Sequence, residues 1–427
     1  MPQHVPASPA PPAAPPAAGP LAPPAPPAPA AAPAAGAPPL PRRIVFLARR
    51  DLGNPAAGGS ELLVDRIADG LTAYGHDVTL LCGGPVSPKV SAPPPLSTAP
   101  PLSTALDRGD PHDQGGAPTR RYRVVSAGGD AAHFLRAPGR LARHVGACDL
   151  LVEVCNGMPY LAPLWHRGPT LCLVNHVHTD LWGMRYPAPA ARLGRRLEHW
   201  ALAGTHRRNL MVAVSGSTAS ALHDLGVAPD RIRLVHNGVA EPGPLAPKAP
   251  EPLFLAMGRL VEYKRIDLLL RLWERVRPVT GGRLVIVGDG PERDRLAALA
   301  GPDVTFTGRI SEQRKHQLLC SAWLLLHPSV VEGWGLVVME AAARRTPAVG
   351  FDIPGLRDSV EDGVTGLLAR GESAFAAHWC TLALSARRRN ALGLAAAQRA
   401  ARFRWSRTVR SFRAVAAEAV RHTPPGR

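Results

Sequence analysis

Trp323-Leu324-Leu325-Leu326-His327-Pro328-Ser329-Val330-Val331-Glu332-Gly333-Trp334-Gly335-Leu336-Val337-Val338-Met339-Glu340-Ala341-Ala342-Ala343 joins an apolar run to a turn and then to a second apolar run. Trp323 to His327 reads as a buried strand, and Leu336 to Ala343 has helical composition with no Gly or Pro. The glycine-aromatic-glycine turn therefore sits at a strand's carboxyl edge, just before a helix. Its two flanking carboxylates, Glu332 and Glu340, bracket the helix N-terminus, where unpaired backbone N–H groups and the helix dipole favour an anion. A phosphate with a hydroxyl-rich group on either side suits that arrangement.

The same rhythm extends outward. Strands at Leu253 to Met257, Leu284 to Val287, Val304 to Thr307 and Pro347 to Phe351 alternate with helical segments. Before them, Glu241 to Pro252 is a Pro-rich linker, and an earlier series runs through Arg43 to Ala48, Asp77 to Cys82, Asp149 to Val154, Thr170 to Asn175, Leu210 to Ser215 and Ile232 to His236. An amphipathic helix from Ser60 to Tyr74 links the first two strands, which makes a strand, helix, parallel strand unit. The expectation is an α/β protein of two doubly wound domains, residues 42–240 and 253–400, joined by a linker at 241–252 and followed by a helix at 401–420. Such sheets bind ligands beyond the carboxyl ends of their strands, so a cleft between two of them suits a two-substrate reaction. Residues 1–41, almost wholly Ala and Pro, are expected to be a disordered tail, and residues 85–119 a disordered loop.

Composition sets outer limits. The chain has 427 residues, enough for two substantial cores, and no apolar run approaches the roughly 18 residues of a membrane-spanning helix. Six scattered cysteines lack metal spacing, which suggests reduced thiols and a cytoplasmic protein. A net charge of +17 attracts polyanions, although an Arg-, Ala- and Pro-rich composition also follows from GC-rich coding.

The second half places its chemistry at strand ends. Gly258-Arg259-Leu260-Val261-Glu262-Tyr263-Lys264 puts a guanidinium and an ammonium five positions apart on one loop, and both could converge on a diphosphate. Val287-Gly288-Asp289-Gly290-Pro291 is a tight strand-to-helix turn with Pro expected at the first helical position. Taken alone it is a good turn; beside the Arg/Lys loop it is also a candidate for binding.

Gly258-Arg259 with Lys264, Val287-Gly288-Asp289-Gly290-Pro291, Phe306-Thr307-Gly308-Arg309, and Glu332 followed by Glu340 resemble, in order and spacing, the motifs of the family 4 retaining glycosyltransferases. The resemblance covers roughly residues 42–415 and is specific mainly in the second half. It implies the GT-B fold: two Rossmann-like domains, an interdomain cleft and a C-terminal helix crossing back to the first domain. It implies that Glu340 takes the ribose hydroxyls of a UDP- or GDP-linked sugar and that Glu332 holds the transferred sugar. Arg259 and Lys264 would neutralise the diphosphate with the backbone N–H groups of Gly335, Leu336 and Val337; Gly258, Gly288, Gly290, Arg309, Gly333 and Trp334 complete the donor set. Preorganised cations and amides stabilise a leaving group that gains charge, so neither metal nor other cofactor is expected. The leaving phosphate would accept the acceptor's proton on the same face. Trp334 replaces the usual Phe and is expected to alter the sugar pocket.

In the first half, Gly58-Gly59 resembles the family's glycine loop, where a side chain would keep the backbone from the diphosphate; a flexible turn is the alternative. His176 and His178 follow the strand ending at Asn175, where the family often places a histidine facing the reacting sugar. The two are expected on opposite faces, which disfavours a zinc site; strand position favours His176 and leaves His178 open. Val214 to Thr218 reads as a helix N-cap and Val235 to Val239 as a turn at the hinge, with no chemistry assigned to either.

From Arg185 to Arg208, basic residues interleave with Leu193, Leu197, Trp200 and Leu202. That segment either lies on an anionic membrane, which would make the protein peripheral at its inner face, or is a solvated basic helix whose apolar stripe packs on the core. The leading function is transfer of a sugar, with retention, to an unidentified lipid, glycan or small molecule. A sugar-nucleotide epimerase of the same fold would need first-domain carboxylates that do not stand out. A non-catalytic nucleic-acid-binding protein would leave the glutamate pair unexplained, so nucleic acid is not expected as a partner.

Overall fold

A computed structural model describes residues 40–84, 120–129 and 132–422 of the chain. The expected tail, up to residue 39, and the expected loop at 85–119 lie outside the described residues. Pro41 is buried, and its carbonyl accepts a 2.6 Å hydrogen bond from His76 Nδ1.

One sheet comprises β1 (Arg43–Ala48), β2 (Asp77–Cys82), β3 (Arg123–Ser126), β4 (Leu150–Asn156), β5 (Thr170–His176), β6 (Met211–Ala213) and β7 (Ile232–Leu234), in the order β3-β2-β1-β4-β5-β6-β7. The second comprises β8 (Leu253–Met257), β9 (Arg283–Val287), β10 (Val304–Gly308), β11 (Leu324–His327), β12 (Ala348–Phe351) and β13 (Gly366–Ala369), in the order β10-β9-β8-β11-β12-β13. Neighbouring strands pair in parallel throughout. A parallel sheet covered by helices on both faces needs strands that are apolar at every position, and Ile44, Val45, Phe46 and Leu47 are all fully buried. In each sheet the strand order reverses beside the first strand, between β1 and β4 and between β8 and β11. Those reversals open a crevice at the carboxyl edges.

The sequence reading omits β3 and β13. Both are four-residue edge strands, too short to carry a strong apolar signal. β6 and β7 are three residues each and stop short of the expected limits. After β6, Ser215 leaves the ladder to cap the helix Gly216–Asp224, its Oγ accepting from Thr218 N at 3.0 Å.

The last helix, Trp405–His422, returns to the first domain. Phe412 stacks on Phe46 with ring centroids 5.8 Å apart, and Val409 lies so close to Gly70 of the helix Gly59–Ala73 that a Cβ there would sit 2.5 Å from Val409 Cγ2. The second domain has its own aromatic centre, in which Trp273 and Trp379 stack at 5.6 Å beside Phe254.

Candidate active site

The loops after β8 and β9 are locked together by glycine. Gly288 has φ +131°, and a Cβ on it would lie 1.9 Å from the Gly258 carbonyl oxygen; one on Gly290 would lie 2.3 Å from that of Leu260. Backbone against backbone leaves no room for a side chain at either position. Pro291 is not at a helix start, which corrects the expectation. The helix here is Arg293–Ala298, because the chain first turns back for Glu292 N to donate to Leu260 O. The interlock fixes the loop that carries the two cations. Arg259 is exposed and donates from Nη2 to the Tyr263 hydroxyl at 3.0 Å, while Lys264 ends a short 3-10 turn and donates from Nζ to Glu332 Oε2 at 2.6 Å.

Glu332 thus has a partner that its sequence neighbours do not supply. His327, buried at the end of β11, is 2.9 Å from the same Oε2 through Nε2, and Oε1 receives the Gly333 N–H at 3.3 Å. Burial alone would push the Glu332 carboxyl up, but Lys264 and His327 hold it well below the usual carboxylate range. Burial lowers His327, so the ring is neutral and its Nε2–H is assigned as the donor.

Gly335, at φ +77°, turns the chain into the helix Leu336–Ala343, whose first turn has no side-chain cap. Glu340 lies on that helix with Oε1 2.9 Å from Lys315 Nζ, which also reaches Glu312 Oε2 at 2.6 Å. Burial would lower the Lys315 ammonium, and the two carboxylates outweigh it and raise it. Trp334 departs from expectation. Its side chain is buried away from the strand edge, among Val239, Met339, Ala342, Ala343, Ala396 and Ala400, edge-on to Phe403. Its effect is therefore on the packing of the hinge and not on a sugar pocket.

The first domain meets this loop closely. A Cβ on Gly333 would sit 2.4 Å from the Asn175 carbonyl oxygen and 3.7 Å from His176 Cβ, and one on Gly59 would sit 3.6 Å from Leu336 Cδ2. Gly58 caps the first helix, its N–H donating to Glu61 Oε2 at 2.8 Å. Arg309 reaches across to the Pro55 carbonyl, and Asp358 Oδ2 accepts from Ser217 N at 3.1 Å. The second domain thus caps a first-domain helix whose own Ser215 was the only feature read from sequence.

His176 and His178 are not on opposite faces. Their rings lie 5.4 Å apart, because residues two apart on an extended chain share a face. Opposite faces therefore do not speak against zinc here; among the described residues no group of three or more His, Cys, Asp or Glu could hold a metal ion. The neighbours separate the two rings. His176 adjoins Gly333, whereas His178 packs on Gly157 and donates its backbone N–H to the buried Glu198 at 2.6 Å.

His327, Lys315 and Asp358 are the side chains at this site that the sequence reading passes over. His327 carries a faint signal, a polar residue closing an apolar strand at the crevice edge. Lys315 and Asp358 carry none, since their partners are distant in sequence.

Residues 251–384 match the family described as Glycosyl transferases group 1, and residues 57–241 match Glycosyltransferase Family 4. The chain belongs to glycosyltransferase family 4 and has the GT-B fold. It is 36% identical over 228 residues to the D-inositol 3-phosphate glycosyltransferase of Nocardia farcinica, covering 46% of this chain and 50% of that protein. It spans about half the length of such curated relatives. Among solved structures it resembles sucrose-phosphate synthase from Thermosynechococcus elongatus (TM-score 0.66, 20% identity, 87% of this chain and 97% of that one). It also resembles HepE from Anabaena, crystallised with UDP and glucose (TM-score 0.62, 18% identity, 87% and 98%). At these identities the structural likeness bears on the fold alone.

Proposed function

We propose that the protein transfers a sugar, with retention and without a metal, from a nucleoside diphosphate sugar to an acceptor hydroxyl. The observation that carries this reading is the convergence of Arg259, Lys264, Glu332 and the N-terminus of Leu336–Ala343 at the β8/β11 crevice, opposite His176 and Gly59. Cations and open helix N–H groups at that edge suit a diphosphate, whose charge grows as the bond to the sugar breaks. The flanking carboxylates suit hydroxyls: Glu340 those of the ribose, Glu332 those of the sugar. The positive charge needed at the leaving group is then supplied by Arg259 and Lys264, and its phosphate oxygen takes the acceptor's proton. HepE, a protein of the same fold, was solved with UDP, and UDP- and GDP-linked sugars are the two donor classes proposed here. A thermal-shift panel of UDP, GDP and ADP sugars tests the reading. One donor class should raise the melting temperature of the wild type and do so far less in Glu340→Ala. No response to any donor would refute it, and loss of transfer in excess EDTA would refute metal independence.

A second observation concerns the acceptor. On the helix Ala188–His199 the buried residues are Ala191, Gly194 and Glu198; of the segment's apolar stripe, Leu202 is buried in the core, whereas Leu193 is 58% exposed, Leu197 43% and Trp200 47%. Exposed Arg192 and Arg196 flank the stripe. Among the described residues no helix is long and apolar enough to cross a membrane. We therefore infer that this face rests on an anionic bilayer and brings the cleft to a lipid-linked acceptor. Vesicles containing phosphatidylserine should float the wild type, and Leu193→Glu/Trp200→Glu should remain at the bottom of the gradient. Failure of the wild type to float at physiological salt would reject the inference.

A further inference from the structure

We propose that His327 is a positioning residue for the donor sugar: it anchors one oxygen of Glu332 so that the other stays turned toward the sugar hydroxyls when Lys264 engages the diphosphate. The inference rests on the donor reading above and adds a residue to it.

The geometry separates the two oxygens. Oε2 receives both side-chain donors, Lys264 Nζ at 2.6 Å and His327 Nε2 at 2.9 Å, whereas among the described residues Oε1 receives only the long 3.3 Å contact from its own loop's Gly333 N–H. Lys264 cannot be the permanent anchor, because its ammonium sits on the flexible stem of a loop and the same charge is wanted by the diphosphate. His327 has the opposite properties. It ends β11, its backbone is paired with Gly350 of β12, and its ring is buried. A neutral imidazole in such a place has one tautomer to offer the carboxylate and little freedom to leave it. When a donor draws Lys264 away, the bond from His327 keeps the carboxylate in plane, and Oε1 remains the open acceptor for hydroxyl groups.

Without a donor, Lys264 and His327 together hold the part-buried Glu332 carboxyl low. Lys264 supplies charge that a phosphate can claim; His327 supplies a hydrogen bond that it cannot.

The test is calorimetric titration of UDP and of UDP-glucose into the wild type, His327→Leu, His327→Asn and His327→Gln. Gln can present an N–H near the position of Nε2; Asn is one bond too short, and Leu has no donor. Losing a hydrogen bond to a charged group should weaken UDP-glucose roughly tenfold to hundredfold in the Leu and Asn variants, with Gln close to wild type. UDP alone, which does not touch Glu332 in this reading, should change by less than about twofold in all three. The KM for UDP-glucose in slow donor hydrolysis should follow the same order. Equal losses for UDP and UDP-glucose would make His327 merely structural, and unchanged binding of both in Leu and Asn would overturn the proposal outright. Should the Leu variant fail to fold, the Gln and Asn pair decides by the same criterion. If the thermal-shift panel selects a GDP sugar, GDP and that sugar replace UDP and UDP-glucose in the same series; a wild type that binds neither pair would refute the donor reading itself, which is distinguishable from a failure confined to the variants.

Discussion

At the residue scale, Glu332 and Glu340 look alike in sequence and differ in their surroundings. Glu340 shares Lys315 with Glu312, whereas Glu332 lies between a cation and a neutral imidazole. Because the folded Glu332 carboxyl lies below its ordinary value of about 4.3, the unfolded chain binds more protons in acid. Its contribution is complete above that value and is lost as pH falls through the lower folded one. The melting temperature of the wild type should therefore fall more steeply between pH 6 and pH 3 than that of Glu332→Gln, as read by calorimetry; parallel curves would contradict this. Sequence exposes the glutamates because their spacing around a glycine turn is local. It hides His327 and Lys315, since a side chain's partner is decided by which strands and helices become neighbours. Trp334 illustrates the limit from the other direction: as a replacement for the usual Phe it is expected to alter the sugar pocket, and the indole instead packs into the hinge.

At the scale of elements, central strands were legible because two-sided burial demands uninterrupted apolar residues, and edge strands β3 and β13 were not. The glycines of Val287 to Gly290 were legible as a turn, but the reason for them is contact with another loop. The terminal helix Trp405–His422 is the longest helix described, and its apolar face covers β1 through Phe412. Phe412→Ala should cost about 3–5 kcal/mol in denaturant unfolding, the usual range for removing a buried aromatic side chain. Loss below about 1 kcal/mol would mean that the helix contributes little to the first domain's core.

At the scale of the molecule, the two domains touch through few polar links. Asp358 caps the helix Gly216–Asp224 from across the cleft, and Arg309 holds the Pro55 carbonyl. The chain between them passes the hinge at Val239, whose N–H donates to Phe403 O at 2.8 Å. Such links are individually weak and fit a cleft that opens and closes with the donor. Removing both, in Asp358→Ala/Arg309→Ala, should enlarge the radius of gyration in solution scattering, and saturating UDP should reverse the change. Identical dimensions in all states would indicate a fixed cleft.

The contact at Gly333 has a consequence beyond that loop. Because its missing Cβ would fall 2.4 Å from the Asn175 carbonyl oxygen, the approach of the domains at this loop is gauged by an absent methyl group. Gly333 is in effect a zero-thickness shim: a single added carbon there would strike the first domain's backbone, so something must shift before the two domains can meet at this loop.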